Sequence, residues 1–424
     1  MRALAKTLLV GTFLAIPMSP PFSAVATSQS VVNNNQVQLG DVFSTQTLNV
    51  VDVSGNAAGT TTATGNSAYG AVASGSLDVE SNQQLSGNIS SATHFNVTDD
   101  VQGQTTVLTA STGNTAEADS IEGGPLTGNL SQSVGAVSIM SENDFNAGAA
   151  QIGAISASSQ AIANSVAVTL TDAESALTIN QSSAASVDAE SGSDTTGSAD
   201  IEYSPGTVSF ASSAVGNNIT AAGISVNSGA GQAIDATQTV TGPLTQAAQF
   251  VAVGNAQTVL GAATASANNI SITNQYGPVG VSDTQSNASF VFADSVVSAY
   301  EFGTGQASAY GVGNSVMVAN VGPSTSLDNT QTNTVDTDAK ASFTGSGGAV
   351  AYDATSSATA MGNAATAFAC SDCGGVVNVT NNQVNSGGVN ATSSLSVGGS
   401  NRSVNGVATA VGNSATFYVS KPSN

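Results

Sequence analysis

A dipeptide that returns about every fifty residues limits what this chain can become. Gly-Asn stands at Gly65-Asn66, Gly113-Asn114, Gly216-Asn217, Gly254-Asn255, Gly313-Asn314, Gly362-Asn363 and Gly412-Asn413, with a degenerate copy at Ala163-Asn164. Counting that copy, the intervals are 50, 53, 38, 59, 49 and 50 residues after a first step of 48. A second element follows in step: Asn82-Gln83, Ser131-Gln132, Asn180-Gln181, Asn274-Gln275, Thr330-Gln331 and Asn382-Gln383, with Asn35-Gln36 opening the series. Self-similarity at a fixed period means one supersecondary unit repeated, each copy burying its apolar face against its neighbours.

The residues between the markers decide which unit. Apolar and polar residues alternate, as at Val37, Leu39, Leu48 and Val50, and Thr- and Val-rich runs (105–108, 166–170, 270–273, 376–380) are broken by Gly, Asn, Asp and Ser. That texture predicts strands, and long helix formers are too sparse for a bundle. Two all-β architectures fit a period of fifty. One is a β-solenoid, with about two coils of roughly 25 residues per repeat and some sixteen coils in a rod on the order of 75 Å long. The other is a β-propeller or meander in which Gly-Asn is a hairpin turn. Aromatics are only 5% of the chain and Trp is absent, whereas amides recurring at the strand spacing can form hydrogen-bonded ladders, so the solenoid is favoured. The stretches 192–200 and 345–348 read as loops.

Composition narrows the compartment and the partners. Arg2 and Lys6 precede the apolar run Leu8 to Ile16, and Ala24-Val25-Ala26 follows, which predicts a signal peptide over residues 1–26 cleaved after Ala26. Residues 27–424 then form one continuous repeat domain. Its only basic residues are Lys340, Arg402 and Lys421, set against 27 carboxylates. Nucleic acid is excluded as a partner, because phosphate affinity comes from clustered Lys and Arg. Charged residues are only 8% and mean hydropathy is slightly positive, a balance that favours folding over disorder.

Residues able to carry chemistry are few. His94 is the only histidine, so no multi-histidine metal site exists, and it is expected at the surface. Cys370 and Cys373 are the only cysteines; two thiols cannot complete a zinc site, and in a secreted chain a local disulfide is the main reading. The carboxylate pairs Asp99/Asp100, Glu117/Asp119 and Asp336/Asp338 read as solvated loop charges, with weak calcium binding second. No Gly-Lys-Ser/Thr follows the Gly-Asn pairs, so they are structural, with glycine relaxing the backbone at a corner. No catalytic residue, cofactor or metal ligand is assigned, and the chain is expected not to be an enzyme.

Taken as an arrangement, these elements are similar to a known family. Gly-Asn-Ser/Ala and Asn-Gln in loose repeats of about fifty, an acidic secreted chain and two late cysteines resemble the holdfast anchor protein HfaD of stalked, surface-attaching bacteria, across residues 27–424. The resemblance implies an outer-membrane, cell-surface protein. It further implies export through a curli-type pore and action with a small curlin-like partner to fix an adhesive extracellular polysaccharide at the cell pole. The repeats are about twice as long as curlin repeats and less regular, which argues against a simple amyloid fibre. The expected function is a structural adhesin that self-associates as a homo-oligomer; a polysaccharide lyase or hydrolase on a β-helix, or a phage-fibre or surface-layer component, is the alternative. The end copies, Val31 to Val37 and Val407 to Val419, carry no charge and do not read as caps.

Overall fold

The structure, a computed structural model, describes residues 29–122, 124–148, 150–192, 200–226, 229–345, 352–370, 374–399 and 401–420. The predicted signal peptide and its cleavage site at Ala26 lie outside the described residues, as do residues 193–199 and 346–348 of the two expected loops.

Each repeat makes one circuit of the molecule. The first runs through β1 (Ser30–Gln38), β2 (Val42–Val50) and a long β3 (Ala57–Ala73). The next two repeat that plan as β4 (Leu77–Leu85), β5 (Ile89–Val97), β6 (Val101–Ile121) and β7 (Leu126–Val134), β8 (Ser138–Asn146), β9 (Ile152–Thr171). The fourth is β10 (Ser175–Ser183), β11 (Ser186–Gly192) and β12 (Asp200–Ile224). In the fifth and sixth the second short strand runs unbroken into the long one, giving β13 (Gln232–Val240), β14 (Leu244–Gln275), β15 (Val279–Asn287) and β16 (Phe290–Val321). The last two are β17 (Ser324–Asn333), β18 (Thr337–Gly345), β19 (Tyr352–Cys370) and β20 (Val376–Asn385), β21 (Val389–Val397), β22 (Asn401–Ser420).

Like strands stack on like strands, all parallel. The first short strands form one sheet in the order β1-β4-β7-β10-β13-β15-β17-β20, and the second short strands and the long strands form the other, folded back on itself through β14 and β16. This is a parallel β-solenoid, as expected, and not a propeller, whose blades are antiparallel meanders. The coil count is corrected: one coil takes the whole fifty-residue period, so eight coils make a stack of roughly 38 Å. The reason is the length of the third strand, 17 residues in β3 and 21 in β6, which spans the coil opposite both short strands.

That long strand needs a device to face two partners, and Gly-Asn supplies it. Along β6 the inward residues are Val107, Thr109 and Ser111, then Asn114, Ala116, Ala118 and Ser120, so the alternation reverses at Gly113. Gly113 drops out of the register between Thr112↔Ile162 and Asn114↔Asn164. A Cβ there would lie 2.5 Å from the Ala163 carbonyl oxygen. Alanine fills the slot at Ala163 and Ala267, so it takes at most a methyl. The pair is therefore a mid-strand kink, not the corner expected from sequence. The chain reverses elsewhere, directly after the long strands, where Ser74, Glu122, Asp172 and Tyr276 adopt φ of 57, 63, 51 and 71°.

The kink divides the interior. Before it, the long strand packs on the second short strand around Ile89, Phe95, Ile139, Phe145 and Val187. Phe95 stacks on Phe145 with centroids 5.3 Å apart, and Phe145 meets Phe210 edge-on at 5.8 Å. After it, the long strand packs on the first short strand around Leu77, Leu126, Leu130, Val166 and Ile179. The fully buried aromatics thus all fall in one of the two cores and supply large buried areas there.

Candidate functional surface

Between the two cores run two lines of amides, buried everywhere but in the end coils. Asn66, Asn114, Asn164, Asn217, Asn268, Asn314, Asn363 and Asn413 stack one per coil, each Nδ2 donating to the Oδ1 of the next at 2.7–2.9 Å. The same nitrogen's second hydrogen reaches across to a main-chain carbonyl of the first sheet, as from Asn114 to Ser133 at 3.1 Å and from Asn164 to Ser182 at 2.8 Å. Facing them, Gln36, Gln83, Gln132, Gln181, Gln238, Gln285, Gln331 and Gln383 form a second line, each Nε2 donating to the preceding Oε1 at 2.7–3.0 Å. Each reaches back to a long-strand carbonyl, Gln132 to Ser165 at 2.9 Å. Between the end coils the amides are satisfied on both hydrogens and strap opposite walls together, which is what makes a buried polar line tolerable.

Most sequence markers fall on these lines, and two do not. In the fifth coil the asparagine line passes through Asn268, not Asn255, which pairs with Glu301 on the neighbouring long strand. Gln275 ends β14 exposed, and Asn274 bonds Asn320 and Gln232 outside the glutamine line. The residues missed were Asn268, Gln238 and Gln285. The first is preceded by alanine and the others by threonine. Asn35, Asn82, Asn180 and Asn382, the first letters of the Asn-Gln pairs, sit on the outside of the first sheet, one residue out of phase with the buried glutamines.

The buried lines are closed to ligands, so the surface must do the work. On the outside of the first sheet, two adjacent rows run the length of the stack: Asn35, Asn82, Ser131, Asn180, Thr237, Thr284, Thr330, Asn382, and Val37, Gln84, Ser133, Ser182, Thr239, Ser286, Thr332, Val384. Neither row contains a charge. They form a flat lattice of hydroxyls and amides spaced roughly 4.8 Å along the stack.

Charge stands in the next row of the same face, at Glu80, Asp235 and Asp328, and on other faces. Glu142 and Glu190 are register partners outside the second sheet, with Asp188 beside them. Burial, then Glu142, pushes the Asp188 carboxyl above its usual range; burial, then Asp188, Glu142 and Asp144, does the same to Glu190. His94 Nδ1 lies 3.2 Å from Asp144 Oδ2, half-exposed as expected. Glu117 and Asp119 stand on β6, not on a loop, where Tyr69 hydroxyl donates to Asp119 at 3.2 Å. Asp99, Asp100 and Asp336 occupy turns and Asp338 stands on β18. Lys340 approaches Asp294 at 3.8 Å and Arg402 bonds Asp353, so both described basic side chains are paired. Among the described residues no group of three metal-ligating side chains is brought together. Cys370 ends β19 buried, and its proposed disulfide partner Cys373 lies outside the described residues.

A parallel solenoid held from within by amides, with a flat polar outer face, defines an extended surface scaffold. The chain belongs to the holdfast attachment protein D family, whose model matches residues 51–336, about two thirds of the sequence. No curated protein and no solved structure matches it. The family carries a holdfast attachment role and a place at the cell envelope.

Proposed function

We propose that the chain is a cell-surface adhesin that anchors an adhesive extracellular polysaccharide to the envelope. The family match over residues 51–336 carries this reading. The two uncharged rows on the outside of the first sheet are the part of the surface suited to it: sugar hydroxyls both donate and accept, and rows of Asn, Ser and Thr offer both. The binding is additive over many weak contacts along a polymer, which is how a repeated surface gains avidity. Export through a curli-type pore, work beside a curlin-like partner and self-association of the chain belong to the same reading.

A deletion strain tests it. Cells lacking the chain are expected to make the polysaccharide yet shed it into the medium, and the unaltered chain to restore retention. Thr237→Glu/Thr284→Glu/Thr330→Glu, three changes at partly or fully exposed positions, is expected to reach the surface and still shed. Unchanged retention in the deletion strain would sink the proposal.

A further inference from the structure

Both amide lines have a direction, and the directions are opposite. Every glutamine donates toward the first coil and every asparagine toward the eighth. The first coil therefore ends in a Gln36 Nε2–H, beyond the one given to Ser67, and in the Asn66 Oδ1 acceptor. The eighth ends in the Gln383 Oε1 acceptor and an Asn413 Nδ2–H. With each line continued onto its own kind, a donor meets an acceptor in both only when an eighth coil faces a first coil. First against first sets donor on donor in the glutamine line, and eighth against eighth sets acceptor on acceptor.

Packing and charge agree with the polarity. The cores finish half-covered at both ends, at Val32, Val42 and Leu48 in the first coil and Val379, Val389 and Leu395 in the eighth. Followed along the columns of register, Val379 would lie on Val32, Val389 on Val42 and Leu395 on Leu48, like on like. Edge strands are commonly protected by charge. Here two of 27 carboxylates, Asp41 and Asp52, fall within residues 30–73, and none within 376–420.

We propose that the eighth coil of one copy stacks on the first coil of a second, continuing both sheets and both amide lines, so that copies add head to tail. The contact is heterologous and does not close on itself, so it propagates as a filament. This rests on the self-association included in the functional reading above and specifies its polarity and register.

Singly blocked chains test the polarity. Ser30 N–H donates into the second coil, and parallel ladders alternate, so Val37 N–H points out of the first coil. Val376 N–H donates into the seventh coil, so Val379 N–H points out of the eighth. Val37→Pro and Val379→Pro each remove one outward donor and leave the internal ladder whole. In sedimentation velocity on the secreted chain, the unaltered protein is expected to form a concentration-dependent series of oligomers. Each variant alone stays monomeric, and an equal mixture of the two gives dimers and nothing larger. A monomeric unaltered chain, or variants that associate alone as well as it does, overturns the inference. If either proline unfolds its coil by circular dichroism, Val37→Lys and Val384→Lys block the same two edges from outward-facing positions, with the same expected pattern. Retention of polysaccharide by cells is read separately, so failure here leaves the anchoring role standing.

Discussion

Asp283→Asn is expected to raise the stability of the folded chain by about 4 kcal/mol at pH 7 and to remove most of its pH dependence between pH 4 and 8. Asp283 points inward on β15 and is 2% exposed. Burial, and then the nearby Asp328 charge, pushes its carboxyl up to about 8. The terminal amide of Asn329, the register partner of Asp283 one coil on, lies 2.9 Å from the carboxyl.

Because the folded pKa lies above the unfolded value of about 3.9, the folded state binds more protons in that window, and stability falls as pH rises through it. Below about pH 4 both states are protonated and this group adds no slope. Burial also raises Glu117, Asp188 and Glu190, which lean the same way, and the asparagine variant isolates the contribution of Asp283. Urea unfolding followed by circular dichroism reads it. The unaltered chain has the lower midpoint at pH 8 than at pH 5, and in the variant that difference is much smaller. A higher midpoint at pH 8 for the unaltered chain would reverse the assignment.

Asn217→Ala is expected to cost roughly 3–6 kcal/mol and to open the middle of the stack. Asn217 is fully buried, accepts from Asn164 at 2.9 Å, and donates to Asn268 Oδ1 at 2.9 Å and to the Thr239 carbonyl at 3.0 Å. Truncation leaves three buried groups short of a partner, each worth about 1–3 kcal/mol. Asn217→Asp is worse, since it keeps the acceptor but turns a carboxylate oxygen on two other acceptors. Hydrogen exchange localises the effect. Protection is lost first in the third to fifth coils, on either side of the broken link, while the second and seventh keep theirs, as expected for a stack coupled through nearest neighbours. Uniform loss along the stack would contradict that coupling.

How much of this was legible in the sequence depended on which side of a strand each residue faces. The period, the β character and seven of the eight asparagine slots were visible, because an inward residue tied to its copies above and below cannot drift. The Asn of Asn-Gln faces solvent, so it varies to Ser131, Thr237, Thr284 and Thr330 without loss, and a search for the pair passes over Gln238 and Gln285. Glycine misled in the same way: the mid-strand kink needs a small residue, which Ala267 satisfies, while Gly254 stands earlier on β14, away from the asparagine line. The coil count was hidden because the reversal of alternation at Gly113 makes one long strand look like two short ones. The outward lattice of the first sheet carries no periodic signature of its own, since many polar residues serve equally well there.

The amide lines are what make these coils a single rigid scaffold, and one adjacent pair of residues tests that most directly. Gln181 is 2% exposed, donates to Gln132 Oε1 at 2.8 Å and to the Asn218 carbonyl at 3.0 Å, and accepts from Gln238 at 2.8 Å. Asn180, one residue earlier, is exposed and reaches only Asn129, at 3.5 Å. Measured by urea unfolding under one set of conditions, Gln181→Ala is expected to cost roughly 3–6 kcal/mol and Asn180→Ala less than about 0.5 kcal/mol. Equal losses at the two positions, or a larger loss at Asn180, would contradict the placement of the glutamines inside and the asparagines outside, and with it the internal lines that hold the stack together.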